Sequence, residues 1–165
     1  MDAKVRSGRQ ENAGALAGAR SRPMNTALTA PLSHTACPCR PVDAVLPYTA
    51  CCGAFHTEPH RALAPNAEAL MRSRYSAFVL DLTDYLLATW HPSTRPTSIE
   101  PNPVGLKWLG LEVRRHLLQD ADHATVEFVA RSKLGGRAQR LHETSRFVRV
   151  QGRWLYLDGG VDEAP

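Results

Sequence analysis

All four cysteines of the 165-residue chain lie within one short stretch, and this clustering constrains the fold more than any other feature. The stretch begins with Cys37-Pro38-Cys39 and ends with Cys51-Cys52-Gly53. Two thiol pairs at the two ends of a short loop are typical of a metal-binding site. Because a segment of this length has little hydrophobic core of its own, metal binding would contribute its folding free energy.

Zinc is the metal that this set of ligands favours. A Zn²⁺ ion binds four thiolates in a tetrahedron, and such a site has no open position, so its metal is structural rather than catalytic. We therefore predict one structural Zn²⁺ bound by the four cysteines, Cys37, Cys39, Cys51 and Cys52. His56 and His60 follow closely, and either imidazole could replace a thiolate, since zinc also accepts nitrogen ligands.

Two other uses of the cysteines compete with the metal site. Disulfides require an oxidising compartment, and the N-terminal region has no convincing export signal, because its apolar run at residues 13–19 is short and flanked by arginines. A redox-active thiol pair would favour a Cys-x-x-Cys spacing, which the sequence does not contain.

No apolar run is long enough to span a membrane. We expect a cytoplasmic protein without a membrane partner.

The cysteine stretch resembles a known small zinc module. Cys-Pro-Cys, Tyr48 and the Cys-Cys-Gly end are similar to the SEC-C motif, found at the C-terminus of the SecA translocation ATPase and in many bacterial accessory proteins. In that motif Gly-Ser-Gly usually follows the second cysteine, whereas this chain has Arg40-Pro41-Val42. Glycines allow the backbone to turn tightly around a metal, and a proline constrains it instead.

The residues that follow resemble the bacterial YchJ family. The similarity lies in residues 70–78, in Asp84-Tyr85-Leu86 and in Thr89-Trp90-His91-Pro92, and it covers roughly residues 36–160. That family joins a SEC-C motif to a domain similar to nuclear transport factor two, which is a cone of helices packed on a curved antiparallel sheet. The resemblance implies a zinc-binding protein of unproven activity, and it associates the zinc module with export chaperones and with ribosome or nucleic-acid contact.

The residue pattern by itself predicts the α+β class. Asn66 can cap a helix, and the apolar residues that follow it to Leu82 have the three-and-four spacing of an amphipathic helix, with residues 72–74 mostly off the apolar stripe. A second short helix should begin near Thr83. Phe55 is expected to pack the cysteine module onto the main domain.

Beyond a proline-rich segment at residues 92–103, the apolar period changes to two. This period predicts antiparallel strands over residues 108–118, 125–131, 141–150 and 154–157. In the first strand we expect Leu109, Leu111 and Val113 to share the buried face. The two-residue turns at Gly135-Gly136 and Gln151-Gly152 predict hairpins.

These patterns divide the chain into four parts. Residues 1–35 are predicted to be a disordered extension, 36–60 the zinc knuckle and its connector, 61–160 the cone-shaped α+β domain, and 161–165 a tail. Met24 is an alternative start.

Of the net charge of +4, most lies in the N-terminal extension, and the basic residues of the folded part alternate with acids. Nucleic-acid or ribosome binding is therefore only weakly supported.

The turn at Gly135-Gly136 predicts which residues of the middle hairpin face each other. It sets Phe128 opposite Glu143 and places Glu143 on an otherwise apolar face. Because a carboxyl group in an apolar cavity has a raised pKa, such a group can act as a general base. The competing interpretation is that Glu143 only forms an ion pair with Arg72 or Arg74. The face opposite Glu143 carries the two other weak catalytic candidates, Glu127 and His142, and they would form a site only if the cone opened on that side.

Three functions are compatible with these sequence patterns. The first is a zinc-binding accessory protein that docks on a protein partner through its knuckle, with a small-ligand pocket in the cone. The second is a small-molecule lyase or isomerase that uses a carboxylate in the cone, lined on the helix side by Arg74, Tyr75, Trp90 and His91. The third is a homodimer that binds partners through an exposed sheet face. The second function requires a hollow cone, so a cone filled by side chains would argue against it.

Overall fold

The structure is a computed structural model that describes residues 35–41, 43–58, 61 and 63–161. The predicted N-terminal extension up to residue 34, the alternative start at Met24, His60 and nearly all of the predicted tail therefore lie outside the described residues.

Helices precede strands in the described part of the chain. A 3₁₀ turn at Tyr48–Ala50 is followed by the helices α1 (Gly53–His56), α2 (Ala67–Val79) and α3 (Thr83–Ala88). The sheet consists of β1 (Lys107–Leu118), β2 (His123–Leu134), β3 (Arg137–Val150) and β4 (Arg153–Val161). All neighbouring strands are antiparallel, and they pair in sequence order. The predicted α+β class is confirmed.

Helix α2 begins where its capping residue predicts. The Asn66 side chain accepts a hydrogen bond of 2.8 Å from the backbone N–H of Ala69, and Glu68 lies in the first turn. The prediction that residues 72–74 lie off the buried stripe is wrong for two of them, because Ser73 and Arg74 are 0% and 3% exposed. The helix packs against α1, α3 and three strands, so more than one of its faces is buried.

Two tight turns set the register of the sheet. Gly135 and Gly136 have φ angles of 56° and 82°, and Gln151 and Gly152 have φ angles of 49° and 78°. Two consecutive residues with positive φ form the type I′ turn, whose twist matches that of the flanking strands. The β2–β3 register that we predicted from the first turn is confirmed, with Phe128 directly opposite Glu143.

A bulge in β1 overturns one prediction about the buried face. Trp108 pairs with Ser132 and Gly110 pairs with Arg131, so that Leu109 is the extra residue between them. Leu109 is 55% exposed, whereas Leu111 is 6% exposed. The alternation that we expected from Leu109 onwards fails because an unpaired residue reverses the face of its neighbours.

The bulge predicts that two leucines of the same strand differ strongly in their contribution to stability. Replacing Leu111 with Ala should lower the free energy of unfolding by about 2–5 kcal/mol, because it leaves a cavity in the core. The matched change Leu109→Ala should stay within about 0.5 kcal/mol of the parent. Urea titration measures both values, and equal losses would contradict the bulge.

The helices and the sheet enclose one principal core, and the cysteine segment is part of it. Cys37, Cys39 and Cys52 belong to the same buried cluster as Leu70 of α2 and Phe147 of β3. The end of α3 is joined to β4, because the N–H of His91 donates to the carbonyl of Tyr156 at 2.8 Å and the Tyr156 N–H donates to the carbonyl of Thr89 at 2.9 Å.

A smaller cluster of Ala77, Tyr85 and Leu86 receives the side chain of Phe55. This contact confirms the predicted role of Phe55 in attaching the cysteine module to the domain. No helix in the described ranges is both long enough and apolar enough to cross a membrane.

Candidate functional site

The four cysteine sulfurs form one compact cluster. The Sγ atoms of Cys37 and Cys39 are 3.6 Å apart, those of Cys39 and Cys51 are 3.6 Å apart, and those of Cys51 and Cys52 are 4.0 Å apart. All four sulfurs lie within 4.8 Å of one another, and none is in a disulfide. Three of the four residues are buried, so the cluster is largely shielded from solvent.

The cluster fits the donor set that a tetrahedral thiolate site requires. With Zn–S bonds of about 2.3 Å, the edge of the sulfur tetrahedron is about 3.8 Å. The observed separations of neighbouring sulfurs bracket that value. His56 is occupied elsewhere, because its Nδ1 lies 2.6 Å from the Tyr48 hydroxyl and its Nε2 lies 3.0 Å from the Ser73 carbonyl. The cluster can therefore bind a metal ion without an imidazole.

Backbone hydrogen bonds hold the two cysteine pairs in place. The N–H of Cys37 donates to the carbonyl of Leu46 at 2.8 Å, and the N–H of Cys51 donates to the carbonyl of Tyr48 at 3.0 Å. Gly53 is required at the start of α1, since a Cβ atom there would lie 2.8 Å from both the carbonyl oxygen and the ring of Tyr48. The Cys-Cys-Gly end of the segment thus has a steric basis.

The thiols affect one another's ionisation. Hydrogen bonding with the thiols of Cys39 and Cys52 lowers the pKa of Cys37, and the contact with Cys37 raises the pKa of Cys39 to about 12. The contacts with Cys37 and Cys39, together with burial, raise the pKa of Cys52. Crowded thiols resist joint ionisation, so a cation is needed to hold several of them as thiolates.

Two arginines supply positive charge or donors beside the cluster. Arg40 replaces the first glycine of the SEC-C pattern, and its hydrogen bond to the side chain of Cys51 raises the pKa of the guanidinium. Arg72 donates from Nη1 to the carbonyl of Cys39 at 3.1 Å. Four thiolates around a divalent ion would carry an excess negative charge, and the two guanidinium groups would partly offset it. The departure from the glycine pattern therefore adds a compensating charge.

A second feature is a cavity of about 300 Å³ between helix α2, Trp90 and one face of the sheet. The cone is thus hollow. Its lining consists of aromatic and aliphatic side chains with three other polar residues among them, Arg74, Glu143 and Ser145. The full set is Met71, Arg74, Tyr75, Phe78, Trp90, Trp108, Phe128, Ala130, Leu141, Glu143, Ser145 and Tyr156. Phe147 of β3 is buried and is not part of this lining.

Glu143 lines this cavity, as its register predicts. Its Oε1 atom accepts hydrogen bonds from the Ser145 hydroxyl at 2.6 Å and from the Tyr156 hydroxyl at 3.3 Å. Among the described residues no contact ion pair joins Glu143 to Arg72 or Arg74, so that alternative is wrong. Arg72 instead pairs with Glu68 one turn away, at 2.8 Å.

Glu127 and His142 lie on the other face of the sheet. The His142 Nε2 atom is 2.8 Å from the Glu127 Oε1 atom, and neither residue lines the cavity. The alternative in which the cone opens on their face is therefore wrong. His91, which we considered for the helix side of the pocket, contacts the Ser93 hydroxyl at 2.6 Å and also lies outside the lining.

Arg74 is a buried cation at the edge of the cavity. Its Nη1 atom donates to the carbonyl of Leu86 and to the hydroxyl of Thr89, both at 2.8 Å. The guanidinium carbon lies 5.0 Å from the ring centre of Trp90 and 4.6 Å from that of Tyr156. Burial lowers the pKa of Arg74 to about 10, which leaves it charged at neutral pH.

Sequence reasoning did not find Ser145 or Tyr156 as cavity residues. Ser145 could have been found, because it is two residues from Glu143 on the same strand and so shares its face. Tyr156 could not, because the β3–β4 pairing shifts between Arg146 and Phe147, and the shift changes which residues of β4 face inward.

Comparison with known proteins identifies the family. The family model described as "YchJ, middle NTF2-like domain" matches residues 66–159, which is more than half of the chain. The chain belongs to the YchJ family. The match covers α2, α3 and nearly all of the sheet, and thus the whole cavity, while the cysteine cluster precedes it.

Relatives in the YchJ family extend the similarity through the cysteine segment. A UPF0225 protein of Methylibium petroleiphilum is 66% identical over 128 residues, covering 76% of this chain and 88% of that protein. A UPF0225 protein of Ralstonia nicotianae is 55% identical over 149 residues, covering 84% of this chain and 99% of that protein. These relatives are described only by that family name.

Two solved structures share the fold. The solution structure of RPA3114, a SEC-C motif containing protein from Rhodopseudomonas palustris, is 31% identical with a TM-score of 0.63, covering 78% of this chain and 100% of that one. The crystal structure of a SEC-C motif containing protein from Psychrobacter arcticus is 31% identical with a TM-score of 0.64, covering 81% and 86%. The resemblance to SEC-C proteins is confirmed.

Proposed function

We propose that this YchJ-family protein is a zinc-binding accessory protein in which the metal has a structural role. The observation that supports the proposal is the cluster of four cysteine sulfurs within 4.8 Å. Thiolates from Cys37, Cys39, Cys51 and Cys52 complete a tetrahedral shell, which leaves no position for a substrate. The ion would hold the segment from residue 35 to residue 58 in one conformation against α2.

The outer surface of the zinc segment supports docking on a protein partner. Val45 and Leu46, in the loop between the two cysteine pairs, are 65% and 37% exposed. Apolar side chains on a rigid, metal-supported loop can bury against a partner at little conformational cost. The metal-bound cysteine cluster would fix the conformation of this loop, and the α+β domain would hold the cysteine segment in place.

The hollow cone favours a second function, which is binding of a small molecule. A cavity of about 300 Å³ lies at the lower end of the range for ligand sites, and a few polar groups converge on its apolar walls. Glu143 is the carboxylate in this cavity, and it would be the general base if bound ligand were also transformed. The residues that line the cavity support binding of a small molecule directly, whereas catalysis by Glu143 is a further step.

The zinc proposal predicts the metal content of protein purified without added metal. The parent should contain about one zinc per chain, and the Cys51→Ser/Cys52→Ser variant should contain almost none, because serine hydroxyls are poor zinc ligands. Plasma emission spectrometry measures the content. The matched control is Ala50→Ser, which adds a hydroxyl to the same loop and should keep its zinc.

Cobalt substitution tests the coordination independently. Tetrahedral thiolate coordination should give the parent an intense visible absorption with Co²⁺, and the double variant should lack it. Two results would overturn the zinc proposal. The parent could contain no metal, or the double variant could retain one metal ion per chain. A different transition metal at full occupancy would keep the thiolate site and change only the identity of the ion.

A further inference from the structure

Two opposite charges face the cavity without forming a contact ion pair. Arg74 and Glu143 both line it, and each is close to Tyr156, with the Arg74 guanidinium against the ring and the Glu143 carboxylate at the hydroxyl. Removing two charges from water is costly unless each is paired or hydrogen-bonded. A ligand placed between them would complete the polar contacts that the protein itself leaves open.

Each of the two groups has hydrogen-bonding capacity left. Arg74 uses Nη1 for its bonds to Leu86 and Thr89, and its Nε and Nη2 have no acceptor among the described residues. Glu143 accepts both of its hydrogen bonds at Oε1, and its Oε2 has no donor in the described part of the chain. The cavity thus presents unused donors on one side and an unused acceptor on the other.

The walls determine what the rest of a ligand must be. Apart from these two charges, the hydroxyls and the indole N–H groups, the lining is apolar, and six of its residues are aromatic: Tyr75, Phe78, Trp90, Trp108, Phe128 and Tyr156. Such walls favour a flat, aromatic or otherwise apolar body. A volume of about 300 Å³ accommodates about a dozen non-hydrogen atoms at ordinary packing density.

We propose that the cavity binds a small molecule of zero net charge with an aromatic or otherwise apolar body and with a hydrogen-bond acceptor and a donor side by side, as in a carboxamide or an amino-acid zwitterion. The acceptor would face Arg74 and the donor would face Glu143. A carboxylate alone would be attracted by Arg74 and repelled by Glu143, and an amine alone would meet the reverse. This inference rests on the second function, ligand binding in the cone.

A panel of matched probes tests the proposal. Cinnamamide is the neutral amide, cinnamate is the anion of nearly the same shape, and L-phenylalanine is the zwitterion of similar size. Binding can be followed by tryptophan fluorescence, because Trp90 and Trp108 lie in the cavity wall. Cinnamamide or L-phenylalanine should bind the full-length parent at least about tenfold more tightly than cinnamate, since one hydrogen bond to a charged group is worth that much.

Two variants test whether Glu143 causes the preference for a neutral ligand over cinnamate. Glu143→Gln keeps a carbonyl that can accept from Ser145 and Tyr156 but loses the charge, so the preference over cinnamate should fall to about threefold or less. Glu127→Gln removes a carboxylate from the opposite face of the sheet and should retain the preference of the parent. Thermal melting of both variants confirms that they are folded.

The outcomes separate this inference from the function on which it rests. If no probe binds the parent at millimolar concentration, ligand binding in the cone and the inference both fail. If probes bind but cinnamate is as tight as the other two, or if Glu143→Gln leaves the preference unchanged, ligand binding stands and the inference fails. A tighter amide than zwitterion, or the reverse, identifies which neutral class the cavity takes.

Discussion

Removing the metal with a strong chelator is expected to unfold the cysteine segment and to lower the free energy of unfolding by about 3–5 kcal/mol. Three of the cysteines belong to the core cluster that also contains Leu70 and Met71, so the segment cannot loosen without exposing part of α2. Without the cation, crowded thiolates would take up protons or separate. Denaturant titration of the metal-loaded and metal-free forms measures the loss.

Hydrogen exchange shows where this loss occurs. The amides of Cys37 and Tyr48, which donate to the carbonyls of Leu46 and Thr35 at 2.8 Å, should lose their protection when the metal is removed. The amide of Val129 in β2, at the centre of the sheet, should lose much less. Adding Zn²⁺ back is the control and should restore both stability and protection. A metal-free form with unchanged stability and unchanged exchange would contradict a structural role for the metal.

Replacing Arg74 with Met is expected to lower the free energy of unfolding by about 2–4 kcal/mol. Arg74 donates to the Leu86 carbonyl at the C-terminal end of α3, which receives no backbone hydrogen bond from Trp90, because that N–H donates to Leu87. Methionine has a similar length but leaves this carbonyl and the Thr89 hydroxyl without their charged donor. Relief from burying a charge offsets part of the loss.

The matched control for this change is Arg131→Met. Arg131 is exposed and forms a surface ion pair with Glu112 at 3.2 Å, which is worth less than about 1 kcal/mol. Thermal and urea denaturation of the two variants should therefore differ clearly. If Arg74→Met were as stable as Arg131→Met, the hydrogen bonds from the Arg74 guanidinium would not contribute to the packing of α3 on α2. The only remaining role for the buried charge would then be in ligand binding in the cavity.

Several features of the site follow from short-range signals in the sequence. The spacing of the cysteines predicted that they lie together, because only eleven residues separate the Cys37/Cys39 pair from the Cys51/Cys52 pair. Asn66 predicted the start of α2, since a capping residue acts on the turn that follows it. The turn at Gly135-Gly136 predicted that Glu143 faces the apolar side of the sheet, because in a regular hairpin the turn alone determines the register.

Other features were decided only by tertiary structure. The bulge at Leu109 and the shift in the β3–β4 pairing each reverse the faces of the residues beyond them, and neither has a local signal as clear as a turn. The second of these brought Tyr156 against Glu143. Likewise, a charged residue between apolar helix positions is usually solvated, and Arg74 is buried because α2 is covered on several sides.

Thus the sequence by itself determined the cysteine cluster, the α+β class, the helix start and the middle hairpin, because each depends on residues that are close together in the chain. The tertiary structure decided that the cone is hollow and that Arg74 and Glu143 face the same cavity. Those facts depend on how residues more than sixty positions apart pack, and local pattern contains no information on that packing.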